Sequence, residues 1–403
     1  MDINQPTLDF IRQHANDQPH QLALQRCKDS SVDLPFALEQ IAGRQYAAQK
    51  LPTYAATEGV LYPPHLSLEQ CSSELTALYK ARLVSSFHAV PRSSLLDMTG
   101  GLGVDFTFMA RLFCHACYVE QQPGLCELAR HNFKLLGLTE AQVVCADGAD
   151  FLRQSAQHFD WVYIDPARRD AHGGRTYGIS DCTPDVLSML DLLTAKAGCV
   201  LLKLSPMLDW RKAVRDIGGE LVSEVHIVAV RNECKELLLV LRSQPDAVGR
   251  VTRLVCVNDD VIFETTTAPT SPQNYCNATA GDMTGCFLYE PNAALMKAGC
   301  FDELALRFGV SQVAQNSHLF LSPQLIKDFP GRKFRIHCVS SMNKRELKEK
   351  LRGITQANLT VRNFPLSVAE LRKRLKLNDG GLTYIFATTI AGNTHVLFVC
   401  HRA

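Results

Sequence analysis

Through the middle of the chain, short unbroken apolar runs alternate with stretches in which apolar residues recur every three or four positions. The runs cover residues 94–98, 116–120, 142–146, 160–165 and 199–204. An unbroken apolar run bounded by turn residues suits a strand buried on both faces. The amphipathic stretches between the runs suit helices that cover those faces. This alternation predicts an α/β core built on a mostly parallel sheet. Two later segments, 221–230 and 236–242, are joined by the polar stretch Arg231-Asn232-Glu233-Cys234-Lys235 and read as an antiparallel hairpin.

The flanks follow other patterns. Asp33 is placed to cap a helix with Pro35 in its first turn, running to about Gln49, and Leu51-Pro52 ends it. After Tyr62-Pro63-Pro64, Ser67 is placed to cap a second helix through Gln70, Glu74, Leu78 and Leu83. Its polar residues Gln70, Ser73, Thr76 and Lys80 give two readings: a lid over a ligand, or a solvated face, which is favoured for each residue taken singly. Beyond Ser243 come a hairpin (251–257 with 261–265) and a Thr/Pro/Ser linker, then alternating short helices and strands that read as two small α+β modules. The expected division is 1–88, 89–245, 246–325 and 326–403.

The chemistry lies at the ends of the apolar runs. The first run leads into Asp97-Met98-Thr99-Gly100-Gly101-Leu102-Gly103-Val104-Asp105, a glycine turn opening a helix. Such a turn lets backbone approach a ligand at the carboxyl edge of a parallel sheet. The second run ends on Glu120, the third on Asp147-Gly148-Ala149, and the fourth on Asp165-Pro166-Ala167-Arg168. With these four motifs in order, the stretch from about Pro91 to Arg242 resembles the class I S-adenosylmethionine-dependent methyltransferases. The resemblance implies a Rossmann-like seven-stranded methyltransferase core and S-adenosyl-L-methionine as cofactor. It implies cofactor contacts at Asp97, Thr99, Gly100, Gly101, Gly103 and Asp105, with Glu120 on the ribose and Asp147, Gly148 and Ala149 on the adenine side.

In the same resemblance, Asp165, Pro166 and Arg168 form the catalytic loop. Lys203, Ser205 and Tyr177 are candidate substrate contacts, and Arg169 and Arg175 are placed to grip phosphate beside Arg168. Amino-directed nucleic-acid methyltransferases carry a second proline and an aromatic where this chain has Ala167 and Arg168. Uracil-C5 enzymes need a cysteine past strand five, where this chain has Ser205-Pro206. Transfer to nitrogen or oxygen is therefore expected rather than transfer to carbon. The polar glycine-rich segment 172–178 reads as an active-site loop.

Composition then narrows the setting. In 403 residues, 46% are hydrophobic and 21% charged, no apolar run reaches a membrane span, and the first 18 residues lack a signal-peptide core. The fifteen cysteines are scattered in apolar contexts and read as reduced thiols of a cytoplasmic protein. Cys114-His115-Ala116-Cys117 has no second ligand pair at zinc spacing, so no metal is expected.

The net charge is only +1, yet Lys327 to Lys376 holds fourteen Lys/Arg against four acidic residues. Such a surplus is an electrostatic footprint for phosphate-rich ligands, against the alternative of solvated helix faces. Arg372, Lys373 and Arg374 are the candidate contacts. The stretch Asn358–Leu366, with the basic helix and terminal hairpin, resembles the THUMP-like tail of a bacterial methyltransferase family, the module before it being ferredoxin-like. By analogy with THUMP domains proper, this implies structured RNA (tRNA or rRNA) as partner and no membrane partner. The competing readings are a methyltransferase acting on protein or a small molecule, and a non-catalytic RNA-binding protein that retains the cofactor site.

Overall fold

The computed structural model describes residues 3–24, 29–87, 92–168, 178–243, 251–267, 275 and 281–403. Each apolar run forms a strand: β1 (Ser94–Asp97), β2 (His115–Glu120), β3 (Gln142–Cys145), β4 (Phe159–Ile164) and β5 (Ala197–Leu204). The late hairpin gives β6 (Val222–Val230) and β7 (Glu233–Arg242). Their order is β6-β7-β5-β4-β1-β2-β3. Strands β1 to β5 pair in parallel, and β7 runs antiparallel to β5. All four residues of β1 are buried, as an unbroken apolar run between two helical layers requires. The strand order reverses between β1 and β4, which leaves a crevice at their carboxyl ends.

The chain falls into two compact units: 1–225 with 235–252, and 226–234 with 253–403. In the first, Asp33 caps helix Leu34–Lys50 by accepting from the Phe36 N–H at 3.2 Å. This helix and its neighbours bury Ala47, Leu51, Tyr54 and Leu68 against Leu102 of the glycine turn, Val104 and Phe108 of helix Val104–Met109 and Leu128 of helix Pro123–Leu135. Asn132 exchanges two hydrogen bonds with Leu61, at 2.8 and 2.9 Å.

The single helix expected from Ser67 through Leu83 is instead two, His65–Gln70 and Glu74–Ser86. The chain breaks at Ser72-Ser73 because both hydroxyls are claimed elsewhere. Ser73 caps the second helix by accepting from the Thr76 N–H, and Ser72 turns inward to Asp105. The solvated-face reading fails at Thr76 and Lys80, which are buried, and holds at Gln70, which is exposed.

In the second unit, Arg253–Asn258 (β8) and Val261–Thr266 (β9) form the expected hairpin. A seven-stranded sheet follows, built from Phe287–Pro291 (β10), Ser311–Gln312 (β11), Phe320–Ser322 (β12), Gly331–Ser341 (β13), Asn358–Arg362 (β14), Tyr384–Ile390 (β15) and Thr394–Arg402 (β16). Its order, β11-β12-β10-β13-β16-β15-β14, runs through both stretches that the sequence suggests are separate modules. One face buries Phe334, Ile336, Phe386 and Phe398. The other buries Ile385, Leu397 and Val399 under Leu347 of helix Lys344–Lys350 and Leu371 of helix Val368–Leu375. No helix among the described residues is long and apolar enough to cross a membrane.

Candidate active site

The turn after β1 is shaped by what packs beneath it. Gly103 has φ +74°, and a Cβ there would stand 2.7 Å from the Phe133 ring. A Cβ on Gly100 would stand 2.4 Å from the Tyr118 ring, and the Tyr118 hydroxyl donates to the Gly101 carbonyl at 2.5 Å. Only glycine lets the backbone settle this closely on the two rings. Glu120, at the end of β2, then reaches across. Its carboxylate accepts from the Gly101 N–H at 2.9 Å and from the Gln122 N–H at 2.8 Å. Each oxygen keeps a lone pair for a further donor.

The turn and Glu120 line a cavity of about 700 Å³, together with Asp97, Asp105, Tyr163, Asp165, Pro166, Lys203 and Ser205. Residues 67 and 70–72 also line it. The cavity therefore joins the ends of β1, β2, β4 and β5 with the segment before helix Glu74–Ser86.

One wall is ionic. Lys203 Nζ lies 2.5 Å from Asp165 Oδ2, and the Asp165 N–H donates to the Thr99 hydroxyl at 2.7 Å. Behind this pair, the fully buried Lys80 meets Glu236 at 2.5 Å and Asp105 at 3.1 Å. The Ser72 and Tyr163 hydroxyls donate to Asp105 Oδ2 at 2.7 and 2.6 Å.

The protonation of these groups follows from their surroundings. Burial alone would raise the Asp105 carboxyl, but Lys80 and Lys203 hold it below the ordinary aspartate value. Burial raises Asp165, with Lys203 opposing. Burial would lower Lys203, but Asp165, Asp105 and Glu236 outweigh it and keep the ammonium charged. Asp97 has no such cation. Burial pushes its carboxyl well up, against the pull of the Thr99 N–H and with Asp105, Asp165 and Glu120 adding to the rise.

A Porphyromonas gingivalis W83 protein, provisionally named a methyltransferase, is 30% identical to this chain over all of both chains, with a TM-score of 0.86. The chain belongs to the methyltransferase family with a THUMP-like C-terminal domain. Family models match residues 331–402 as a THUMP domain-like region and residues 287–330 as a ferredoxin-like domain. Residues 23–170 match the protein-L-isoaspartate(D-aspartate) O-methyltransferase model. Two further structures are similar over part of the chain. An rRNA methylase from Streptococcus thermophilus has 12% identity, 42% of this chain, 93% of the other and TM-score 0.31. A SAM-dependent methyltransferase from Agrobacterium tumefaciens has 15% identity, 42% and 61% coverage and TM-score 0.32. No curated protein matches the sequence.

Among the expected site residues of this THUMP-like methyltransferase, the turn residues, Glu120, Asp165, Pro166, Lys203 and Ser205 meet in the cavity. Asp147, Gly148 and Ala149 are not on its wall. Asp147 instead caps helix Gly148–Gln154 by accepting from the Asp150 N–H, and it also accepts from Gln121. Arg168 lies in a short antiparallel ladder of Ala167–Arg168 with Cys182–Thr183. Arg169, Arg175, Tyr177 and the loop 172–177 lie outside the described residues.

In the C-terminal unit, Arg372 is committed to its own fold, donating to the Ala357 carbonyl at 3.2 Å and to Asp379 at 2.6 Å. Lys373 and Arg374 are exposed, with no ion-pair partner among the described residues. Among those residues the thirteen cysteines are free, and no cluster of three metal-ligating side chains occurs.

Sequence reasoning did not assign Ser72, Tyr163 or Glu236, and it left Lys80 on a solvated or lid face. Lys80 carries a usable signal. It falls on one helical stripe with Thr76, Ala77, Leu83 and Val84, which marks the buried side.

Proposed function

We propose that this protein is an S-adenosylmethionine-dependent methyltransferase whose substrate is a structured RNA, acting in the cytoplasm. The observation that carries the reading is the meeting of the glycine turn, Glu120 and the Asp165–Lys203 pair in one cavity. The residues fit such a cofactor. The turn is closed to any Cβ at Gly100 and Gly103, Glu120 keeps acceptor capacity for ribose hydroxyls, and Asp97 is a buried carboxyl lacking a cation. Asp147 to Ala149, which lie off the cavity wall, would meet the adenine side only from beyond it. The bound cofactor supplies an electrophilic methyl on a sulfonium. The chain's own part is to orient the acceptor atom, with Asp165 and the Pro166 carbonyl as hydrogen-bond acceptors, and to receive a proton where the acceptor carries one.

RNA is favoured by the charge surplus of the C-terminal unit and by its THUMP-like match. Lys344, Arg345, Lys348, Lys373 and Arg374 are exposed there and have no ion-pair partner among the described residues. In this reading the four segments 1–88, 89–245, 246–325 and 326–403 divide the work into site wall, catalysis, connection and RNA capture.

The test is transfer of labelled methyl from S-adenosylmethionine into RNA isolated from a strain lacking the gene, with a protein fraction in parallel and Asp165→Ala as control. Label in RNA that disappears with Asp165→Ala is the expected result. Label confined to the protein fraction overturns the RNA assignment. Cofactor binding with no label in either fraction overturns the catalytic one.

A further inference from the structure

The ionic wall carries information about the acceptor atom. Two ammonium groups, Lys80 and Lys203, and three carboxylates, Asp105, Asp165 and Glu236, converge there from helix Glu74–Ser86, the first turn after Gly103, and the ends of β4, β5 and β7. Lys80 and Glu236 are almost wholly buried. A buried ion cluster is a poor way to gain stability, because desolvation offsets most of the attraction. Its place against the cavity points to chemistry.

We propose that the acceptor is a hydroxyl oxygen, and in RNA the ribose 2′-hydroxyl, with Asp165 and Lys203 as the catalytic pair and Lys80 and Glu236 as positioning residues behind them. The inference rests on the RNA methyltransferase reading above and specifies its acceptor.

The argument is electrostatic. A neutral amine acceptor needs no ammonium beside it, since the three carboxylates of the cluster outnumber its two cations and a carboxylate alone would receive the amine's proton. A hydroxyl must shed a proton and gain negative charge on oxygen, which a fixed ammonium stabilises in a site of low dielectric. In the balanced step, the hydroxyl oxygen forms a bond to the methyl carbon as the S–C bond of the sulfonium donor breaks, the electron pair staying on sulfur. The hydroxyl proton passes to Asp165 and from there to solvent.

Within RNA the hydroxyl in question is the ribose 2′-hydroxyl, the group that separates RNA from DNA. Glu236 holds Lys80, which in turn holds Asp105, and Asp105 with Asp165 and Glu236 keeps Lys203 charged.

The experiment identifies the product. RNA from the deletion strain is labelled with the full-length protein and S-adenosylmethionine, then hydrolysed in alkali. A 2′-O-methyl group blocks cleavage at its nucleotide, so the expected label sits in alkali-stable dinucleotides. In parallel, Lys203→Met is expected to bind S-adenosylhomocysteine by calorimetry as the parent does while losing about 100-fold or more in turnover. Label in base-methylated mononucleotides overturns this inference and leaves RNA methylation standing. A Lys203→Met variant with turnover near the parent's also overturns it. Label confined to protein, or to neither fraction, overturns both this inference and the reading beneath it.

Discussion

The cavity wall and the C-terminal basic surface use the same side chains in opposite ways. At the wall, Lys80 and Lys203 are buried or nearly so, and each is matched by a carboxylate at 2.5 Å. On the C-terminal helices, Lys344, Lys348, Lys373 and Arg374 are exposed and have no ion-pair partner among the described residues. Matched buried charges act through position, since low dielectric magnifies each ångström and salt barely screens them. Unmatched exposed charges act through their sum, are screened within a Debye length, and tolerate replacement one at a time. One chain can therefore hold a geometric instrument and an electrostatic one, and substitutions should separate them.

The sharpest break is Lys80→Met. Removing one partner from a buried cluster leaves Glu236 and Asp105 uncompensated, which costs about 3–5 kcal/mol. The expected outcome is a large fall in denaturant midpoint. Adding Glu236→Gln should return part of it, because the two substitutions share one interaction. Additive losses in a double-mutant cycle would mean that the pair is not coupled.

Asp97→Asn tests a cavity carboxyl that, unlike Asp105 and Asp165, has no cation beside it among the described residues. Its folded carboxyl is raised, so the folded state holds the proton more tightly than the unfolded chain. Stability should therefore fall as pH rises from the ordinary aspartate value through the raised one, then level off. Asparagine still accepts from the Thr99 N–H and removes this slope. Thermal melts should find the variant more stable than the parent near neutral pH, with the gap closing toward about pH 4. Cofactor affinity should weaken, because the cationic donor would draw Asp97 into its carboxylate form on binding and asparagine cannot supply that charge. A parent whose stability does not change over this range would refute the assignment.

The legible and illegible parts divide along the same line. The glycine turn, Glu120 and Asp165-Pro166 could be read because each is a local pattern at the end of an apolar run. Lys80 and Glu236 could not be paired, being 156 positions apart with no local pattern joining them. A lysine on a helix reads as a solvated residue unless its stripe is counted. The break at Ser72-Ser73 was hidden for a related reason, since the inward pull comes from Asp105, on another element. In the C-terminal unit the surplus of Lys/Arg was plain. Which of them were already spent was not, because the partner of Arg372 sits in the turn after its helix, and the single sheet joining both modules is a matter of long-range pairing.

That hidden distinction supplies the smallest and most exacting test. Arg372, Lys373 and Arg374 are consecutive, and a charge count treats them alike. Arg372 is half-buried and tied to Asp379 and the Ala357 carbonyl, so Arg372→Ala should cost about 0.5–1.5 kcal/mol of stability. Lys373→Ala should stay within about 0.5 kcal/mol of the parent. Binding to RNA should rank them the other way. If Lys373 meets a phosphate, its loss lowers the slope of log affinity against log salt by about 0.7–0.9. Arg372→Ala should leave that slope unchanged, since its charge is already offset by Asp379. Equal slopes for the two variants would mean that the helix does not meet phosphate through its outer face, and the basic surface would then be a solvated one.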